Sequence, residues 1–109
     1  MEGIKTWLEK VGEPVAETCF PPGDAPPPPY IYFLDEQDHG GGDMRNLLIK
    51  HYLTLERYSN TAEYNAALEA LFDAKGLDYS REQTWLPDPE DMYETIYTVK
   101  TPIFERTEI

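Results

Sequence analysis

The residues best placed to do chemistry surround three consecutive glycines, Gly40, Gly41 and Gly42. A glycine-rich loop can hold a phosphate through its backbone N–H groups, usually with a cation close by. This loop is flanked by acids instead, and neither Lys-Ser nor Lys-Thr follows it. It also lies between two predicted strands, whereas a nucleotide-binding P-loop joins a strand to a helix. The pattern therefore favours a flexible tip that contacts a partner protein.

We predict an interaction loop here, because glycine lets the tip adopt many conformations until a partner selects one. Its candidate contact residues are Asp38, His39, Gly40, Gly41, Gly42, Asp43, Met44 and Arg45. A second candidate surface, facing a partner or the acidic lumen of a ring, consists of Asp35, Glu36, Asp38 and Asp43. These acids could bind a hard cation, but the ligand spacing of an EF-hand is absent, so a solvated acidic loop is favoured and no metal is assigned.

Other reactive side chains are few. The two histidines, His39 and His51, do not occur in a zinc-binding spacing. We interpret His51 as a strand residue with satisfied hydrogen bonds, and His39 beside Asp38 as a group that could titrate without being catalytic. Cys19 is interpreted as a buried or incidental thiol. No set of nucleophile, base and orienting group can be proposed, so the sequence predicts a protein that is not an enzyme, with no catalytic residues and no cofactor.

Size and charge narrow the possible roles. The chain of 109 residues is long enough for one compact domain and carries a formal net charge of −12. Such a charge repels DNA and anionic lipid, so neither direct nucleic-acid binding nor membrane binding is expected. No secretory signal or membrane span is recognisable, and a single cysteine favours a reducing cytoplasm or a particle assembled there.

The first part of the chain predicts a helix and an extended connector. Apolar residues recur at helical spacing before Gly12, which predicts a helix over residues 1–12: Ile4, Trp7, Leu8 and Val11. Residues 13–29 contain seven of the ten prolines, which remove backbone donors, and predict a polyproline connector.

The rest of the chain predicts two hairpins around a helix. Residues 30–58 contain two strand patterns joined by the glycine-rich loop, too short for a helical crossover. Residues 60–76 begin with a capping box at Asn60 and end at Gly76, which predicts a helix. Residues 77–101 predict a second hairpin, and residues 102–109 a tail that is an edge strand, frays or reaches a neighbour. The predicted fold is α+β in the order α-β-β-α-β-β, with a mainly antiparallel four-stranded sheet and both helices on one face.

Three stretches of the chain resemble one protein family. They are GEPVAETCFPPGDAPPPPYIYFLDE (residues 12–36), HYLTLERYS (51–59) and ALFDAKGLDYSREQTWLPDPEDMYETIYT (70–98). Together they resemble small proteins encoded in the head–tail gene region of long-tailed bacteriophages and prophages of Gram-positive bacteria. The resemblance covers most of the chain and rests on the combination of motifs.

This resemblance implies a tail-terminator, tail-completion or head–tail joining protein with an α+β fold. Relatives of this kind commonly assemble as hexameric rings that cap the tail tube or link it to the head connector. The expected partners are therefore further copies of the chain and phage tail-tube or connector proteins. The expected location is the virion, at the tail or the head–tail interface, after synthesis in the cytoplasm of the bacterial host.

One alternative function follows from the charge. An acidic protein can imitate DNA and occupy the basic site of a host nucleic-acid enzyme. A mimic should space its carboxylates along one surface as phosphates are spaced, whereas the acids here are spread over loops, turns and a helix. The structural role is therefore favoured, and the inhibitory role is retained as the alternative.

Overall fold

A computed structural model describes residues 3–21, 23–40 and 46–108 as an α+β fold with two helices and six strands. The elements in chain order are α1 (Ile4–Glu9), β1 (Val15–Glu17), β2 (Tyr30–Gly40), β3 (Asn46–Ser59), α2 (Ala66–Ala74), β4 (Tyr79–Leu86), β5 (Met92–Val99) and β6 (Ile103–Glu108). The predicted fold class is confirmed at this level.

All six strands form one mixed sheet in the order β1-β2-β3-β5-β4, with β6 paired to β3 beside β5. Strand β3 has 14 residues and pairs antiparallel with β2 from Leu48 to Tyr58. On its other side, residues 46–51 pair with β6 and residues 54–59 pair with β5. Strand β1 runs parallel to β2, so the sheet is not purely antiparallel.

The predicted element order and the four-stranded sheet were wrong in detail. The connector of residues 13–29 contains β1, which was missed, and the tail forms β6, the edge strand that was one of its three predicted alternatives. The three-residue β1 lies in a proline-rich context and is too short to show an alternating pattern. Strand β6 begins directly after Pro102 and pairs on one side only, a position in which proline next to a strand is tolerated.

The second helix also begins later than predicted. The side chain of Asn65, not that of Asn60, accepts a hydrogen bond from the backbone N–H of Leu68 at 3.0 Å and caps α2. Near the predicted start of the helix, the Oγ of Ser59 accepts a hydrogen bond from the backbone N–H of Thr61 at 3.2 Å. This contact competes with a cap at Asn60. Residues 60–65 form a bend and an irregular segment before the helix.

The core lies between both helices and one face of the sheet. The helices contribute Trp7, Leu8, Leu68 and Phe72, with the rings of Trp7 and Phe72 6.2 Å apart. The strands contribute odd-numbered residues, because alternate side chains point to opposite faces: Ile31, Phe33, Leu53, Leu55, Tyr97, Val99 and Ile103. One face of the sheet is thus covered by helices, and the even-numbered side chains lie on the other.

Two polar contacts fix the helical layer to the sheet. Arg57 of β3 is buried and donates bidentate hydrogen bonds to Glu13 at 2.9 and 2.8 Å, and a third to the carbonyl of Glu63. The carboxylate of Glu69 in α2 accepts from the Tyr97 hydroxyl at 2.8 Å and from Arg81 at 2.6 Å. Both contacts join segments far apart in sequence.

Neither helix in the described part of the chain is long and apolar enough to cross a membrane.

Replacing Arg57 with alanine should strongly destabilise the fold. The change leaves the Glu13 carboxylate, only 11% exposed, without its cation, which costs about 3–5 kcal/mol for a buried pair. Urea unfolding measures this loss. Lys5→Ala is the matched control, because Lys5 and Glu9 form an exposed pair worth less than about 1 kcal/mol. Equal losses in the two variants would contradict a structural role for the buried pair.

Candidate functional site

Strands β2 and β3 continue past the last residue of β2 that pairs with β1. This segment, here called the arm, consists of residues 34–40 of β2 and 46–51 of β3. Strand β6 pairs with its second strand. Strand β1 pairs only with Ile31 to Phe33, so it ends where the arm begins. The arm is therefore supported by a strand on its β3 side, while within the described residues no strand pairs with the outer side of β2 from Leu34 onward.

The hydrogen bonds of β1 define which backbone groups point outward from β2. The N–H of Ile31 donates to the carbonyl of Pro14 at 2.9 Å, and the carbonyl of Phe33 accepts from Thr18 at 2.8 Å. Backbone direction alternates along a strand, so the outward groups farther along the arm are those of Asp35, Gln37 and His39. This edge presents donors and acceptors in the spacing that a further strand requires.

The predicted site residues fall into three groups. Asp35 is on the helix face with its side chain only 6% exposed, whereas Glu36 and Asp38 are exposed. Strand alternation places Asp35 on the face opposite to Glu36 and Asp38, so these acids do not form one continuous surface. His39 and Gly40 end β2, which extends farther toward the glycines than expected. The remaining loop residues, 41–45, lie outside the described residues.

A buried histidine connects the three strands of this region. His51 of β3 is 5% exposed; its Nδ1 lies 2.9 and 3.0 Å from the two carboxylate oxygens of Asp35 in β2. Its Nε2 lies 3.0 Å from Oε1 of Glu105 in β6. A neutral imidazole has one N–H, and an imidazolium has two, so the charged ring satisfies both carboxylates. The side chain of His51 therefore joins β2, β3 and β6 at the base of the arm.

The surroundings of His51 favour its charged form. Burial of the ring acts to lower the pKa of His51, but hydrogen bonds to Glu105 and Asp35 and the negative charge of both carboxylates act in the opposite direction. The opposing effects leave the pKa of His51 raised above its ordinary value.

A cavity of about 290 Å³ opens beside this histidine. Besides the three residues of the network it is lined by Gly3, Ile4, Lys5, Glu17, Phe33 and Gln37. Both ring nitrogens of His51 are already held by carboxylates, so the imidazole offers no free nitrogen to take a proton from a bound molecule. The contacts of His51 with Asp35 and Glu105 are therefore suited to joining β2, β3 and β6.

The described residues contain no group of three or more His, Cys, Asp or Glu side chains placed to hold a metal ion. Cys19 is exposed, contrary to a buried thiol. Every buried side-chain nitrogen or oxygen in the described part of the chain has a hydrogen-bond partner.

Sequence reasoning found His51 but not Glu105. The two residues are separated by 54 positions, and their contact depends on the pairing of β6 with β3, where His51 is opposite Ile103. Many strands carry an acidic residue two positions after an apolar one, as Glu105 follows Ile103, so this pattern does not identify a partner for His51. Only the register brings Glu105 beside the ring.

The stability of the protein should depend on pH through His51. Because the pKa of His51 is raised by folding, its charged contacts contribute stability fully at pH values below the unfolded pKa, about 6.5. That contribution is lost as the pH rises through the folded pKa. We expect the difference in unfolding free energy between the wild type and His51→Gln to shrink above about pH 6.5.

NMR titration measures the His51 pKa directly, with the resonance assigned by its loss in His51→Gln. Glu105→Gln removes one of the two carboxylates and should lower the pKa of His51 relative to the wild type. A His51 that titrates below its ordinary value would contradict the assigned charge state.

Comparisons of the chain with protein-family models, with curated proteins and with solved structures find no match. The resemblance to phage head–tail proteins therefore stays a prediction from the sequence.

Proposed function

We propose that the protein is a structural protein of a bacteriophage or prophage, located in the virion at the tail end or the head–tail junction. It assembles with copies of itself as a ring and docks to the tail tube or the head connector. The sequence resemblance supports this location and a ring of six copies. The free backbone edge of the arm is the observation that supports assembly by strand pairing.

The arm suits assembly because its free edge is long and held in position. Seven residues of β2 extend beyond the last residue paired with β1. The antiparallel ladder to β3 and the His51 network keep the arm extended, so little ordering is needed when a second chain pairs with it. Edge pairing would satisfy backbone groups that otherwise need water.

The sheet also offers the second surface that a ring requires. Strand β4 is at the opposite margin of the sheet from β1 and β2, and among the described strands it pairs with β5 alone. A contact between two different surfaces of identical chains is head-to-tail, and it closes into a ring when the rotation between neighbours allows. We assign the outer edge of the arm to one side of this contact.

The proposed role consists of assembly and docking, so we assign it no catalytic residue and no cofactor. The net charge of −12 opposes direct binding to DNA and to anionic membranes. Exposed acids such as Glu36 and Asp38 contribute to this charge. The protein would be made in the host cytoplasm and incorporated into the virion.

Gln37→Pro should prevent assembly without unfolding the arm. Proline removes the outward N–H of Gln37, while the ladder between β2 and β3 uses groups on the other side of the strand. Light scattering coupled to size-exclusion chromatography should give a defined oligomer for the wild type and a monomer for Gln37→Pro over the same concentration range.

Gln37→Ala is the matched control, because it removes the same side chain and retains the N–H. It should assemble as the wild type does. Assembly of Gln37→Pro at wild-type concentration would contradict the role of this edge. A wild type that stays monomeric at high concentration, alone and with isolated phage tails, would contradict self-assembly.

A further inference from the structure

The face of the sheet opposite the helices is largely uncovered. Within the described residues, no helix or strand packs on this surface, here called the open face, which carries the even-numbered side chains of β2 to β5 and Phe104 of β6. The connector covers one corner, where the ring of Phe20 lies 5.8 Å from Tyr30 and 5.5 Å from Tyr32. The remaining surface extends from that corner onto the arm.

Three large apolar side chains are exposed next to one another on the open face. Leu34 of β2 is 45% exposed, Tyr52 of β3 is 39% exposed and Phe104 of β6 is 52% exposed. Tyr52 is opposite Glu36, two residues from Leu34, and Phe104 is opposite Lys50, two residues from Tyr52. They are therefore diagonal neighbours across three strands. Adjacent exposed apolar groups surrounded by polar residues are typical of a binding surface.

Acidic side chains lie on the same face as this apolar stripe. Among the described side chains, the open face carries five carboxylates, those of Glu36, Asp38, Glu56, Glu82 and Glu94. Lys50 is the one cation among the described side chains of the strands on this face. Lys50 is opposite Asp38 in the pairing of β2 with β3. The described side chains of the open face therefore carry more negative than positive charge.

Two of these carboxylates are held in place next to the corner that Phe20 covers, where the ring of Tyr58 lies 5.3 Å from that of Tyr30. The hydroxyl of Tyr58 donates to Glu94 at 2.7 Å and lies 3.3 Å from Glu56. Burial, the hydrogen bond to Glu94 and the charge of Glu56 all raise the pKa of Tyr58, so the hydroxyl stays a donor at any physiological pH. Two fixed negative charges thus adjoin the ring of a tyrosine.

The negative charge and the exposed apolar side chains of the open face determine which class of molecule can bind to it. A second copy placed face to face would bring two acidic surfaces together, and an anionic membrane or a nucleic acid would be repelled as well. A basic protein surface fits both charge and shape, because arginine pairs with carboxylates and stacks on tyrosine rings. We propose that the open face docks a basic protein segment whose apolar side chains cover Leu34, Tyr52 and Phe104.

This docking surface is distinct from the edge that we assign to self-assembly. The edge consists of backbone groups in the plane of the sheet, whereas the open face consists of side chains perpendicular to it. The proposal therefore does not rest on ring formation. It can be tested in Gln37→Pro, which lacks the outward N–H of the arm.

The probe is a synthetic peptide that alternates arginine with valine and tyrosine, and its counterpart has glutamate in place of arginine. Fluorescence anisotropy at low salt should give saturable binding of the arginine peptide to the wild type and to Gln37→Pro, and none of the glutamate peptide. The triple variant Glu56→Gln, Glu82→Gln, Glu94→Gln should weaken binding about tenfold. The double variant Leu34→Ser, Phe104→Ser should weaken binding of the arginine peptide by a similar factor. This loss should persist at high salt, because salt screens charges and not apolar contacts.

The matched control removes three exposed acids away from the open face: Glu63→Gln, Asp73→Asn and Asp88→Asn. It has the same net charge as the triple glutamine variant and should bind within about twofold of the wild type. Equal weakening in the two variants would overturn the proposal, because binding would then follow total charge. Loss of binding in Gln37→Pro would also overturn it, since the peptide would then be pairing with the edge. Absence of saturable binding to the wild type would overturn it outright.

Discussion

Strand β3 is paired along both sides, with β2 on one side and with β6 and then β5 on the other, and the architecture depends on this pairing. Because its side chains alternate, one register places Leu53 and Leu55 in the core and Tyr52 and Tyr58 on the open face. A shift of one residue would reverse both faces. The hydrophobic core and the acidic face thus follow from the same backbone constraint.

The odd-numbered face of β3 changes character along its length. At one end Arg57 is buried against Glu13, in the middle Leu53 and Leu55 pack against the helices, and at the other end His51 contacts two carboxylates. Each charged residue is buried together with groups of opposite sign, as burial of charge requires. At the base of the arm, a polar network thus takes the place of the apolar core.

The arm and the open face represent two different kinds of binding surface. The arm offers backbone groups, which bind any strand and provide little sequence selectivity, whereas the open face offers side chains with a definite charge and an apolar centre. The proposed role uses both kinds of contact, one for copies of the chain and one for a different partner. The acidic character of the open face disfavours self-association at that surface and leaves it for another protein.

The sequence by itself determined the α+β class, the alternation of β2, β3 and β5, and the helix that buries Leu68 and Phe72, because local periodicity encodes these features. It could not determine β1, the pairing of the tail strand β6 with β3, or the cap at Asn65 in place of a cap at Asn60, because these depend on distant strands or on competing local contacts. The candidate site was divided in the same way. His51 was recognisable as a strand residue, but its contact with Glu105 was decided by strand register. Asp35 and Glu36 are on opposite faces because β2 extends through both residues, where the sequence predicted a loop. Register is a property of the assembled sheet, and only the tertiary structure fixes it.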